Sequence, residues 1–185
     1  MAKRIAVLVG SLRKESFTRK IAKELIKLAP ATLEMQIIEI GQLPLYNQDY
    51  DEAPPQEWLS FRRQISETDG FLFATPEYNR SVSPAMKNAI DVGSRPYGQS
   101  VWEGKPGAII SVSPGIIGGF GANHHLRQSL VFLNVPCMQQ PEAYISHVTN
   151  VLNEDGTIKN NDTVEFLRKY INAVAKWVET NAKRN

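Results

Sequence analysis

The chain has 185 residues and one cysteine, Cys137. A lone cysteine excludes an intrachain disulfide framework and fits a reducing compartment. No apolar run approaches the ~20 residues of a membrane-spanning helix. The first apolar stretch, Ile5 to Val9, is too short for a signal-peptide core and leads into polar residues, so the expectation is a cytoplasmic protein. Net charge is only +2 at pH 7, too little to point to nucleic acid or an anionic membrane. The Lys183-Arg184 pair reads as a solvated helix end. Of three histidines, His124 and His125 are adjacent and fall on different faces of a helix, unlike an i,i+4 zinc pair; no metal site is expected. Gly-x4-Gly-Lys-Ser/Thr, Gly-x-Gly-x-x-Gly and Cys-x5-Arg are all missing, which argues against a P-loop, a dinucleotide fingerprint and a thiol phosphatase.

What is present is ordinary in composition, 42% hydrophobic and 22% charged, and long enough for one domain over residues 1–185 with a sizeable core. Cys137 lies in an apolar run, Val131 to Met138, and reads as a core thiol. Strand-like runs alternate with helical spacing. Ile5–Val9 is a strand; Ile21, Leu25 and Leu28, with Ala22, Ile26 and Ala29, recur at helical spacing until Pro30. Met35–Ile40 is a second strand, followed by a long connection over 41–56. A helix over Gln56–Thr68 precedes a wholly apolar strand, Gly70–Thr75, as expected of a central parallel strand. Pro84 opens a helix to about Val92. Ala108–Val112 is a fourth strand, His124–Leu133 a helix, and Pro136 begins a short fifth strand. After a turn at Asn153–Gly156, Thr163–Asn181 is a final amphipathic helix. Five such units predict an α/β fold of three layers, flavodoxin-like, with a five-stranded parallel sheet in the order 2-1-3-4-5.

The first strand runs into Gly10-Ser-Leu-Arg-Lys-Glu-Ser-Phe-Thr18 and straight on into a helix. Free amides and the positive dipole end of a helix attract anions. Ser11, Ser16 and Thr18 add hydroxyls, and Arg13 adds a charged fork. With one glycine rather than three, the loop favours a single terminal phosphate, as in a mononucleotide such as FMN. The alternative is an ordinary strand-to-helix turn with Ser16 or Thr18 as N-cap.

In open α/β sheets, ligands bind at the carboxyl ends of the strands near the switch point, here between strands one and three. The loop after strand three carries Pro76, Glu77, Tyr78 and Asn79, which supply a flat wall and in-plane backbone donors and acceptors for a planar heterocycle. The alternative is that Tyr78 and Asn79 only cap a turn. The loop after strand four, Ser111 to Gly121, has four glycines that let the backbone approach a ligand closely.

Three segments together resemble the NADPH-dependent FMN reductase family, which includes quinone, azo-dye and chromate reductases. They are Gly10-Ser-Leu-Arg-Lys-Glu-Ser16, Thr75-Pro-Glu-Tyr-Asn79 with Lys87-Asn-Ala-Ile-Asp91, and Ser113-Pro-Gly-Ile-Ile-Gly-Gly119. His125-Leu-Arg-Gln128 and Pro141-Glu142 extend the likeness over about residues 3 to 180. The resemblance implies non-covalent FMN. Ser11, Arg13, Ser16, Phe17 and Thr18 would bind its phosphate; Pro76, Glu77, Tyr78 and Asn79 its ribityl chain and ring; Ser113 would lie near the isoalloxazine. It implies ping-pong hydride transfer from NADPH or NADH to FMN and on to a small-molecule acceptor: a quinone, chromate, an azo dye or free flavin. No side chain need act as acid or base. It also implies a homodimer or homotetramer, with the long 41–56 loop and the aromatics Tyr46, Tyr50 and Trp58 as interface candidates. The rivals are a flavodoxin-like electron carrier, a reductase that releases its flavin, and a regulatory module without cofactor. The near-neutral charge and the glycine loop argue against the carrier.

Overall fold

Alternation of apolar side chains along the strands builds two separate cores, one on each face of a single sheet. The structure is a computed structural model that describes residues 1–182; Lys183 and Arg184 lie outside the described residues. The strands are β1 (Lys3–Val9), β2 (Leu33–Ile38), β3 (Gly70–Thr75), β4 (Gly107–Val112) and β5 (Ala143–Ile145). All pair in parallel in the order β2-β1-β3-β4-β5. Ile5, Val7 and Val9 face one side with Leu72, Ala74, Ala108 and Ile110. Ala6 and Leu8 face the other with Phe71, Phe73 and Ile109. Period-two alternation in strands buried on both faces produces this division.

Helices α1 (Phe17–Leu28) and α6 (Asn161–Asn181) cover the first face through Ile21, Leu25, Leu167, Tyr170, Ile171 and Val174. Helices α2 (Gln56–Ser66), α3 (Pro84–Gly93) and α4 (Phe120–Phe132) cover the second. A short α5 (Val148–Val151) lies between β5 and α6. Trp102 is fully buried among Phe61, Phe71 and Phe73, and its indole N–H donates to the Ile90 carbonyl at 2.9 Å.

Several boundaries differ from those read in the sequence, three of them for a plain physical reason. The fifth strand does not begin at Pro136. Cys137 makes one isolated bridge to Gly107, and the ladder resumes only at Ala143 beside Ile110. The intervening segment contains Pro141, which has no N–H to continue the ladder. Helix α4 starts at Phe120 rather than His124, on Gly119 with φ of 77° as N-cap. Helix α6 starts at Asn161, because the Asn160 side chain accepts the Thr163 N–H at 2.8 Å. The second strand, read as Met35–Ile40, is shifted to Leu33–Ile38.

The 41–56 connection is packed down. Asn88 of α3 donates to the carbonyls of Leu43 and Pro44, both at 3.1 Å, and accepts the Tyr46 N–H at 2.8 Å. Trp58 donates to Pro44 and stacks on Tyr46. Within Lys87-Asn-Ala-Ile-Asp91, therefore, Asn88 anchors the long connection while Lys87 and Asp91 pair on the surface at 2.7 Å.

Candidate functional site

Three loops converge at the carboxyl edge of β1, β3 and β4, and each is fastened to the next by named contacts. The first leaves β1 at Gly10. Its N–H donates to Ala74 at 2.9 Å, and its carbonyl accepts from the Ser83 hydroxyl at 2.6 Å. A Cβ at Gly10 would stand 2.7 Å from Ser83 Oγ and 3.0 Å from Pro76 Cδ. Gly10 is required here by close approach. Ser83 also caps α3, accepting the Met86 N–H at 3.3 Å. One hydroxyl thus joins the first loop to the helix that follows the second.

Ser16 is the N-cap of α1, its Oγ accepting the Arg19 N–H at 3.1 Å. The turn reading and the anion reading of this loop are compatible, because the cap satisfies only one of the free amides. Phe17 and Thr18 occupy the first turn, where amides have no intrahelical acceptor. Ser11, Ser16 and Thr18 are buried, while Arg13 is exposed and lies over the Phe17 ring with its guanidinium carbon 5.6 Å from the centroid. Hydroxyls, first-turn amides, a positive helix end and a guanidinium form a donor set suited to a phosphate dianion. The residues present therefore fit the phosphate of FMN.

The second loop folds into a tight hairpin. Tyr78 and Ser81 exchange both backbone hydrogen bonds at 3.0 Å around Asn79 and Arg80, whose φ values are 49° and 65°. Two positive φ angles make this a type I′ turn. Asn tolerates that conformation; an arginine there carries strain of a kind concentrated at ligand clamps. Glu77 is nearly buried and spends its carboxylate structurally. Oε2 accepts the Ala122 N–H at 3.1 Å, in the first turn of α4, and Oε1 meets Arg80 at 3.1 Å. A Cβ on Gly121 would stand 2.7 Å from the Arg80 carbonyl and 3.0 Å from Glu77 Oε2. Glu77 thus reaches this site as the cap that joins two loops. Tyr78 is 41% exposed.

The third loop is shaped from beneath. Ser111 donates to the Gly118 carbonyl at 2.8 Å and approaches Asn123 Nδ2 at 3.4 Å; Arg127 bonds Asn123 at 3.0 Å and the Met138 carbonyl at 2.9 Å. Sequence reasoning missed this chain of groups. The signal was a serine inside an apolar strand, with Asn123 and Arg127 four apart on the helix after it. Ser113 Oγ accepts the Gly115 N–H at 3.0 Å, which closes the start of the loop. Ile116, Ile117 and Phe120 are exposed, as are Leu12 and Tyr78 on the other two loops. The loops therefore present an open ledge with an apolar rim and polar backbone, suited to a flat heterocycle. His124 and His125 turn to different neighbours, Tyr144 at 3.1 Å and Ser81 at 3.0 Å. Among the described residues no three His, Cys, Asp or Glu are grouped to hold a metal, and no helix is long and apolar enough to cross a membrane.

Residues 3–150 match the profile of the family described as NADPH-dependent FMN reductase. A quinone reductase of Pseudomonas putida is 58% identical over 178 residues, covering 96% of this chain and 95% of that protein. A 2-hydroxy-1,4-benzoquinone reductase of a Burkholderia species is 47% identical, covering 96% of this chain and 97% of that one. Among solved structures, the flavoenzyme NAD(P)H:(acceptor) oxidoreductase FerB of Paracoccus denitrificans superimposes with a TM-score of 0.92 at 41% identity, covering 98% of this chain and all of that one.

Proposed function

Because the chain belongs to the NADPH-dependent FMN reductase family, we propose that it is an FMN-dependent NAD(P)H:quinone oxidoreductase. The observation that carries this reading is the fastening of three loops, through Ser83, Glu77 and Gly121, around one ledge that offers phosphate donors at one end and an apolar rim at the other. FMN, when bound, supplies the redox chemistry, a two-electron relay between nicotinamide and acceptor. The chain's part is to hold and orient. Ser11, Arg13, Ser16 and Thr18, with the first-turn amides of Phe17 and Thr18, bind the phosphate. Pro76, Tyr78, Asn79 and the backbone of Glu77 line the ribityl chain and ring, and Ser113 borders the ring. The exposed rim admits nicotinamide and acceptor in turn to the same face. Openness also suits azo dyes, chromate and free flavin as acceptors, with quinones preferred.

The reading extends to assembly. A homodimer or homotetramer would cover part of the rim, with Tyr50 and the exposed part of the 41–56 connection as contact residues. Trp58, an interface candidate on its aromatic character alone, is fully buried against Tyr46 and Tyr50 and cannot meet a partner. Sedimentation equilibrium would give the stoichiometry. The free thiol Cys137 suits a cytoplasmic setting.

The deciding experiment is the visible spectrum of purified protein before and after anaerobic NADPH, followed by addition of a benzoquinone. A flavin spectrum that bleaches with NADPH and returns with quinone is the expected result. A bound flavin that stays oxidised would identify an electron carrier, and failure to bind FMN at all would overturn the assignment.

A further inference from the structure

Arg13 sits in a loop where no carboxylate of the described residues pairs with it, and it adds only the least of the effects that hold the Glu15 carboxyl down. The acid nearest in sequence, Glu15, is taken by Lys20 at 3.0 Å. Among the described residues Arg13 forms no ion pair; its contact is the face of Phe17, 5.6 Å from guanidinium carbon to ring centroid. Phe17 is the first residue of α1 and is itself anchored, half-buried against the core that includes Ile21 and Val9. A guanidinium beside the positive end of a helix is repelled by it. A long exposed side chain also samples many rotamers. The ring face opposes both effects, holding the cation at the mouth of the loop by attraction to its quadrupole.

We propose that Phe17 is a positioning residue: it holds the Arg13 guanidinium ready beside the α1 N-terminus and thereby sets the preference for FMN over a flavin that lacks the phosphate. The inference rests on the assignment of residues 11–18 to the FMN phosphate. Beyond the first-turn amide that its backbone offers, Phe17 contributes to that site through Arg13, with its ring. A ring that acts only through Arg13 matters to phosphorylated ligands alone, whereas a ring that merely shapes the loop matters to every flavin.

The test compares FMN and riboflavin affinities of the flavin-free full chain by fluorescence quenching, in wild type, Arg13→Ala, Phe17→Leu, Phe17→Tyr and the Arg13→Ala/Phe17→Leu double variant. Arg13→Ala is expected to lower the FMN-to-riboflavin affinity ratio about 30-fold, the scale of a charge-assisted hydrogen bond. Phe17→Leu is expected to lower it about threefold, the scale of an exposed cation–π contact. Phe17→Tyr, which keeps the ring face, should retain the wild-type ratio, and the double variant should match Arg13→Ala. Riboflavin affinity should be unchanged throughout, which also shows that each variant has folded. If Phe17→Leu weakens both flavins equally, or lowers the ratio further when Arg13 is already gone, the positioning role is overturned. If Arg13→Ala itself leaves the ratio unaltered, the phosphate assignment falls, and the inference with it. A loss in Arg13→Ala with no change in Phe17→Leu removes the inference alone.

Discussion

At the scale of single residues, the chemistry of a side chain matters less than what it is already bound to. Glu77 belongs to the loop assigned to the ribityl chain and ring, and its carboxylate caps α4 at Ala122 and pairs with Arg80. Gly119 supplies no side chain to the α4 N-terminus, so the cap comes from another loop. Glu77→Ala should therefore cost about 1–2 kcal/mol, the scale of a lost cap, and lower the melting temperature by roughly 2–8 °C. FMN should bind more weakly in the same variant, because the second and third loops separate. A variant with wild-type melting and affinity would show that the cap is dispensable. Cys137 illustrates the opposite case, a reactive group made inert by its surroundings. Burial pushes its thiol up to about 11, against a small opposing effect of Arg127. Native protein at pH 8 should react with a thiol reagent far more slowly than denatured protein. Equal rates in the two states would contradict the burial argument.

At the scale of elements, close approach of backbones sets the relative position of helices and loops. Gly93 ends α3 where a Cβ would lie 2.6 Å from three atoms of the Trp102 ring. Trp102 is locked by its bond to Ile90 and by three phenylalanines, so it cannot retreat. Gly93→Ala should destabilise by at least the ~1–3 kcal/mol of an overpacked core, read as a lower urea midpoint. Because α3 carries Asn88 and is capped by Ser83, that displacement would reach the first loop and the 41–56 connection together. Gly10→Ala is the more local version. Its clash is with Ser83 Oγ and Pro76, so flavin affinity should fall with a smaller change in the urea midpoint. The reverse order of effects would sink the idea that Gly10 serves the junction of the two loops.

At the scale of the whole molecule, pH acts from both ends. Glu39 is held below its usual range by Arg19, Glu15 by Lys20, and Asp155 by hydrogen bonds from Thr157. For such groups the unfolded chain binds more protons. The stability they contribute is present above their ordinary values and lost as pH falls through about 4. Cys137 and Tyr144 behave oppositely. Burial raises the first from 9.0 to about 11; burial, then hydrogen bonding to Glu142, raises the second from 10.0 to about 12. Complete burial pushes Tyr170 up as well. Here the folded form keeps protons that the unfolded chain releases, so stability is full below about pH 9 and declines through pH 9–12. The urea midpoint should be level between about pH 6 and 8.5 and fall on both sides. A midpoint that stays level from pH 8 to 11 would remove the alkaline half of this account.

The sequence by itself determined the alternation of elements, the strand order, and the three loops that meet at the site. Periodicity and turn residues act over a few positions, the alternation of strands and helices calls for a parallel sheet, and the order 2-1-3-4-5 follows from the likeness to flavodoxin-type folds. It also carried the assignment of residues 10–18 to a phosphate, because hydroxyls, a guanidinium and a helix start are contiguous there. Tertiary structure alone decided what each polar side chain was free to do. The start of α4 depends on a carboxylate from another loop, the break before β5 on which residues β4 can reach, and the shape of the glycine loop on the Ser111–Asn123–Arg127 chain beneath it. Each of these is a contact between segments far apart in the chain, and such pairings are fixed only when the two cores close around the sheet.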